Sequence, residues 1–194
     1  MIKILINPFE KFSEKQLFVF GILFLIIGSF LGYQFNALFD SILHLSFPDN
    51  ISFINHLLQN IILTLILSLF LYAFGIYFNS KTRYIDILNV SLIARIPFYL
   101  TTLANINDAS STISNKLLES LNDLKSTSIS TQDYSFLIAT SILSLVCIIW
   151  LAVLLWNGFK TATNAKTTKQ IVLFILVILV ANFISSYTYR LLNL

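Results

Sequence analysis

The stretch Asn89–Leu103, NVSLIARIPFYLTTL, decides how this chain folds. It is apolar enough to enter a membrane, yet it carries Arg95 and, two residues later, Pro97. Counted as part of a membrane span, it gives the chain an odd number of crossings and puts the two termini on opposite sides. Left out, it puts them on the same side. The rest of the sequence settles the choice.

Of the 194 residues, 57% are hydrophobic and only 11% are charged. Soluble domains carry roughly 25% charged residues, so the composition is that of a membrane protein. A span needs about 20 mostly apolar residues to cross the hydrocarbon. Four uncharged segments qualify, at residues 17–35, 61–78, 136–156 and 171–189. The opening stretch lies in a fifth, at 85–106. The first 16 residues lack the small-residue site of a cleavable signal, so the spans are expected to be retained.

Basic residues test the count, because short cytoplasmic loops are enriched in Lys and Arg. With five spans, Lys3, Lys11, Lys15, Lys81, Arg83, Lys160, Lys166 and Lys169 share one side. The other side holds Lys116, Lys125 and Arg190, and the twelfth basic residue is Arg95 itself. Four spans would split the group of eight. The expected fold is therefore an all-α, polytopic membrane bundle, a single domain over 1–194, with five transmembrane helices. Its N-terminus is expected inside and its C-terminus outside.

Local patterns add detail. SEKQ at Ser13–Gln16 has the form of a capping box, starting the first span after an N-terminal segment that Phe9 and Phe12 anchor at the interface. Gly21, Gly28 and Gly32 lie on one face of the first helix and permit close helix approach. They suit packing within one chain or a dimer seam, so a homo-oligomer stays open. Ser141 and Ser144 give the fourth span a small, polar face. In the loop from Asn107 to Tyr134, Ile113, Leu117, Leu121 and Leu124 recur at helical spacing. They predict a short amphipathic helix on the outer leaflet or over the bundle.

Arg95 carries the sharpest signal. Ten residues into its span, it is about 15 Å deep at 1.5 Å per residue. A central arginine costs roughly 2.5–3.5 kcal/mol on insertion scales, so it is paired, inward-facing or functional. Ser91, Arg95, Tyr99 and Thr102 form one stripe, expected to face the bundle with the apolar residues toward lipid. Asp86 is close to the cytoplasmic edge and nearly on the opposite face. Pro97 deprives the Ile93 carbonyl of its usual donor, and the guanidinium is placed to replace it. Three roles follow for Arg95: a lock on the proline kink, a substrate or ion pathway, or snorkelling to an interface.

No hydrolase elbow, phosphate loop, metalloprotease helix or dinucleotide fingerprint is present. Basic residues are not interleaved with exposed aromatics, which excludes a nucleic-acid reading. Asp40, His44 and His56, all assigned to the first outer loop, have an unspecific spacing for zinc, and no metal or cofactor is expected. Cys147 is the one cysteine, so no internal disulfide forms.

Three stretches carry a family resemblance. NPFEKFSEKQL at the N-terminus, YIDILNVSLIARIPFYL in the centre and IIWLAVLLWNGFKTATNAKTTKQIVL near the end resemble the Yip (Ypt-interacting protein) domain family, in its bacterial form. The matching positions are Asp86, Pro97 and Phe98, then Trp150, Gly158, Phe159, Lys160 and Lys169. The resemblance covers about residues 5 to 190 and implies five spans with a cytoplasmic N-terminus. It also implies a non-enzymatic protein of membrane organisation, or an adaptor that binds membrane lipid or other membrane proteins, in a bacterial inner membrane. The Asp-Leu-Tyr-Gly-Pro motif of eukaryotic members is absent, so small-GTPase binding is not implied. A small transporter or channel using the polar stripe is the alternative.

Overall fold

In hydrocarbon a backbone has no water to bond, and a helix satisfies its groups within one segment. The computed structural model describes residues 2–48, 50–122 and 130–192, and among them the chain is all-helical apart from its connections. A short helix α1 (Ile2–Ile6) and a 3-10 turn (Pro8–Glu10) lead into α2 (Glu14–Gln34). Next come α3 (Phe53–Phe78), α4 (Tyr84–Ala94), α5 (Ile96–Tyr99) and a 3-10 segment (Leu100–Asp108). Helices α6 (Ala109–Asn122), α7 (Thr131–Thr163) and α8 (Thr168–Leu192) complete the chain. Five helical stretches are long and apolar enough to span a membrane, the third being the broken run from Tyr84 to Glu119.

Polar caps carry the helices past their apolar runs. Ser13 and Gln16 form the capping box reciprocally. Ser52 caps α3, which starts eight residues before the apolar run at Ile61. Ser130 and Asp133 form a second capping box at the start of α7. With 33 residues, α7 is about 50 Å long, well beyond the hydrocarbon thickness. Asn164, at φ 58°, ends it in the left-handed conformation that asparagine tolerates.

The third span is the hub. Helices α2, α3 and α7 pack around α4, while α8 lies outside against α3. Its most apolar window is 78% buried in protein, against 33% for α2 and α3, 22% for α8 and 17% for α7. This corrects the expectation that its apolar side faces lipid. Val90, Leu92, Ile93 and Ala94 are all buried. Lipid is left to residues such as Phe20, Ile27, Leu65, Ile142, Leu145 and Val180.

Two other expectations change. The connection between α2 and α3 is no simple surface loop, since Ala37, Leu38, Phe39 and Ile42 are buried. The backbone amides of Ile42 and Leu43 donate to Ser185 and Asn182 of α8. Irregular backbone is tolerated there because the protein supplies its partners. His56, assigned to that loop, lies on α3. The predicted amphipathic helix is α6, with Ile113 buried at the bundle end. Leu124 lies outside the described residues.

Candidate functional site

Ser29 on α2, Asn60 on α3 and Arg95 at the α4–α5 break are fully buried. Arg95 Nη2 donates to Asn60 Oδ1 at 3.0 Å. Asn60 Nδ2 donates to Ser29 Oγ at 2.9 Å, and Ser29 Oγ donates to the Leu25 carbonyl at 2.8 Å. One file of hydrogen bonds thus crosses three spans and ends on a backbone acceptor. Its donors all run one way, which suits a cation at the head. The Phe39 and Tyr99 rings lie 5.7 and 5.8 Å from the guanidinium carbon, within cation–π reach. The buried connection between α2 and α3 therefore contributes directly to holding the charge.

The proline break is satisfied differently from the expectation. The backbone N–H of Arg95 itself bonds the Ile93 carbonyl. Helix resumes beyond the break, with the Phe98 and Tyr99 amides on the Arg95 carbonyl. The guanidinium is free to reach α3 because the backbone needs nothing from it. The remaining residues of the predicted stripe stay local. Ser91 bonds Ile87, and Thr102 bonds the Tyr99 carbonyl. Asp86 is at the bundle's end, in a separate cluster with Arg83 and Glu14. Its bonds to Arg83 raise the guanidinium's pKa further above the ordinary range.

The glycines sit where this packing is closest. A Cβ on Gly28 would meet ring atoms of Tyr99 at 2.4–2.6 Å, and one on Gly21 would meet Leu92 at 2.6 Å. Gly32 lies against His56 and the Ala37 carbonyl. All three face the interior of one chain, not a seam between copies. Ser141 and Ser144 line a cavity of about 470 Å³ with His44, Thr101 and Ser110. Phe98 lines it too, and Phe98 packs on Phe39 at 5.3 Å, whose ring lies against the arginine. His44 pairs with Asp40 at 2.7 Å, while His56 bonds the Ser52 carbonyl. Among the described residues, no three His, Cys, Asp or Glu side chains converge as a metal set.

The two ends of the bundle differ in charge as the loops predict. Asn89 Nδ2 bonds the Glu14 carbonyl, and Asn79 Nδ2 bonds the Thr163 carbonyl. Trp150 and Asn157 of α7 hold the carbonyls of Leu5 and Ile6. These contacts gather the N-terminal segment, the α3–α4 turn and the α7–α8 turn at one end. All eight grouped basic residues lie in those segments or in the helix ends that join them. At the opposite end Asn105 bonds the Phe35 carbonyl and Lys116 bonds Asp133.

A family model described as the Yip1 domain matches residues 2–188. The chain belongs to the Yip1 domain family. No curated protein and no solved structure matches it. The positions that carry the Yip resemblance mostly have packing roles here. Phe98 is buried against Phe39, and Phe159 stacks on Phe74 at 5.5 Å. A Cβ on Gly158 would meet Val90 at 2.6 Å and Phe9 at 2.8 Å. Trp150 pins the N-terminal helix. Asn60, Ser29 and Phe39 were missed by sequence reasoning. Asn60 falls one residue before the apolar run at Ile61 and directly after Gln59, so it reads as the polar end of the span.

Proposed function

We propose that this Yip1-domain membrane protein is a non-enzymatic scaffold, organising the membrane or serving as an adaptor for lipid or other membrane proteins. The observation that carries this reading is the closed interior at Arg95. A transporter of this size would need a polar path to that charge. Instead the guanidinium is fully buried, tied to Asn60 and faced by two aromatic rings. The charge acts as a fastener between spans. We place the basic end in the cytoplasm, on the positive-inside rule, and the protein in a bacterial inner membrane, on its bacterial-type resemblance.

The second reading is a small transporter or channel. It draws on Arg95 Nε and Nη1, which are buried and lack partners among the described residues. Flux measurements on proteoliposomes separate the two. The scaffold reading expects K⁺, Cl⁻ and proton leak equal to that of protein-free vesicles. Protein-dependent flux that Arg95→Gln abolishes, while the protein stays folded, would replace it with the transport reading.

A further inference from the structure

At the basic end, two recesses meet beneath the N-terminal segment. The first is a cavity of about 260 Å³ walled by Phe9, Phe12, Asn89, Glu14, Asp86 and Arg83. The second is a groove of about 320 Å³ lined by Phe12, Leu17, Phe24, Ile96, Pro97 and Trp150, among others. Phe12 and Leu17 belong to both. Together the recesses fall within the about 300–1,000 Å³ range of small-molecule sites. One compartment is polar and the other apolar, so the pair has the shape of an amphiphile.

The polar compartment asks for a donor cation. Asn89 is almost fully buried, and its Oδ1 has no hydrogen-bond partner. Buried acceptors are normally satisfied, so the cavity wall is one donor short. Arg83 sits between two carboxylates, with Nε and Nη2 on Asp86 at 2.9 and 2.7 Å and Nη2 on Glu14 at 2.7 Å. Two carboxylates and one guanidinium leave a net charge of −1. Arg83 is the most exposed of the three, at 62% against 42% for Glu14 and 29% for Asp86. It therefore stands at the rim, and its Nη1 takes part in none of these bonds. Phe9 and Phe12 add aromatic walls, which favour a cation.

The apolar compartment asks for a chain. Phe20 and Leu5, which border the groove, are exposed on the lipid-facing surface. The hydrogen bond from Trp150 to the Leu5 carbonyl, at 2.8 Å, fixes the N-terminal helix over it.

We propose that this end of the bundle holds one aminophospholipid. Its primary ammonium enters the cavity between Asn89, Glu14 and Asp86, its phosphate meets Arg83 at the rim, and one acyl chain lies in the groove. A primary ammonium brings three N–H donors, which it would share with Arg83 among the Glu14 and Asp86 carboxylates. A choline headgroup has no N–H, and a glycerol headgroup brings a net negative charge to a negative cluster. The inference rests on the scaffold reading and gives it a ligand.

The test uses the full chain in detergent, titrated with phosphatidylethanolamine, phosphatidylcholine or phosphatidylglycerol of matched chains. Bound lipids are counted by native mass spectrometry. Phosphatidylethanolamine should bind tighter than either competitor by about ten-fold or more, the scale of one hydrogen bond to a charged group. Glu14→Gln with Asp86→Asn keeps the side-chain shapes and should erase the preference. Ile96→Trp, which fills the groove, should weaken binding of the lipid. Equal affinity for the three lipids would overturn the proposal, as would a preference that survives the carboxamide variant. Soluble phosphoethanolamine binding as tightly as the lipid would assign the cavity to a free amine instead. Vesicle flux is a separate readout, so failure of the scaffold reading would be seen independently of lipid choice.

Discussion

Replacing Asn60 with leucine should destabilise the bundle more than replacing Arg95 with leucine. Asn60→Leu removes the hydrogen bond to a charged donor, worth about 1.5–3 kcal/mol, and leaves the arginine buried without its acceptor. It also removes the 2.9 Å bond from Asn60 Nδ2 to Ser29 Oγ, which keeps its bond to the Leu25 carbonyl, for about 1 kcal/mol more. The loss should total about 2.5–4 kcal/mol. Arg95→Leu forfeits two cation–π contacts, each worth up to about 2 kcal/mol when desolvated. It strands Asn60 Oδ1 as well. It also removes a buried charge, which recovers roughly 2.5–3.5 kcal/mol on insertion scales. With the stranded Asn60 Oδ1 adding about 1–3 kcal/mol, the net change should centre on a loss of about 2 kcal/mol, smaller than that of Asn60→Leu. Once the arginine is gone, Asn60→Leu breaks only the bond to Ser29 and leaves no buried charge without an acceptor, so the double variant should be more stable than Asn60→Leu alone. Unfolding midpoints in one detergent, for wild type, both singles and the double, complete the cycle. Additivity of the two changes within about 0.5 kcal/mol would mean the residues are energetically independent. The hydrogen-bonded file would then have no role in stability.

Gly28→Ala should destabilise by about 1–3 kcal/mol, since its Cβ would overlap the rigid Tyr99 ring. Gly75→Ala, whose closest contacts are methyl groups at 3.2 Å, should change the midpoint much less in the same melt. Topology reporters fused at Lys81 and at the C-terminus should report opposite sides of the membrane, and agreement between them would exclude five crossings. Amides of α6 near Ile113 should exchange slowly in bilayers, because a buried contact holds that turn. Exchange there at the rate of a free peptide would leave α6 unsupported.

The five spans were readable because lipid imposes a strict length and the loops carry a charge bias. Both signals are local to each segment. The polarity of Arg95 marked its span as interior, since no single-helix partner suits a charge at that depth. Its acceptor was hidden by the same locality. Asn60 is 35 residues away, on a helix whose own sequence gives no reason to prefer one neighbour. The kink misled for a related reason: Pro97 announces a carbonyl without a donor, but the nearest backbone N–H took it before any side chain was needed. Phe39 was the least legible. It lies in a connection that also holds Asn36, Asp40 and Ser41, and only the tertiary fold shows that the connection turns inward.

The hub position of the third span also bears on how the protein is made. A membrane protein is delivered segment by segment, and the third span is the least hydropathic of the five. Ser29 and Asn60 precede Arg95 in the chain, so the acceptors are already in the membrane when the cation arrives. The first two helices then act as an assembly template, offering the third a protein surface in place of lipid. Without them, the Arg95 span would face the bilayer alone and tend to stay at the surface. Order along the gene thus becomes order of construction, with the charged helix admitted only after its receiving site exists.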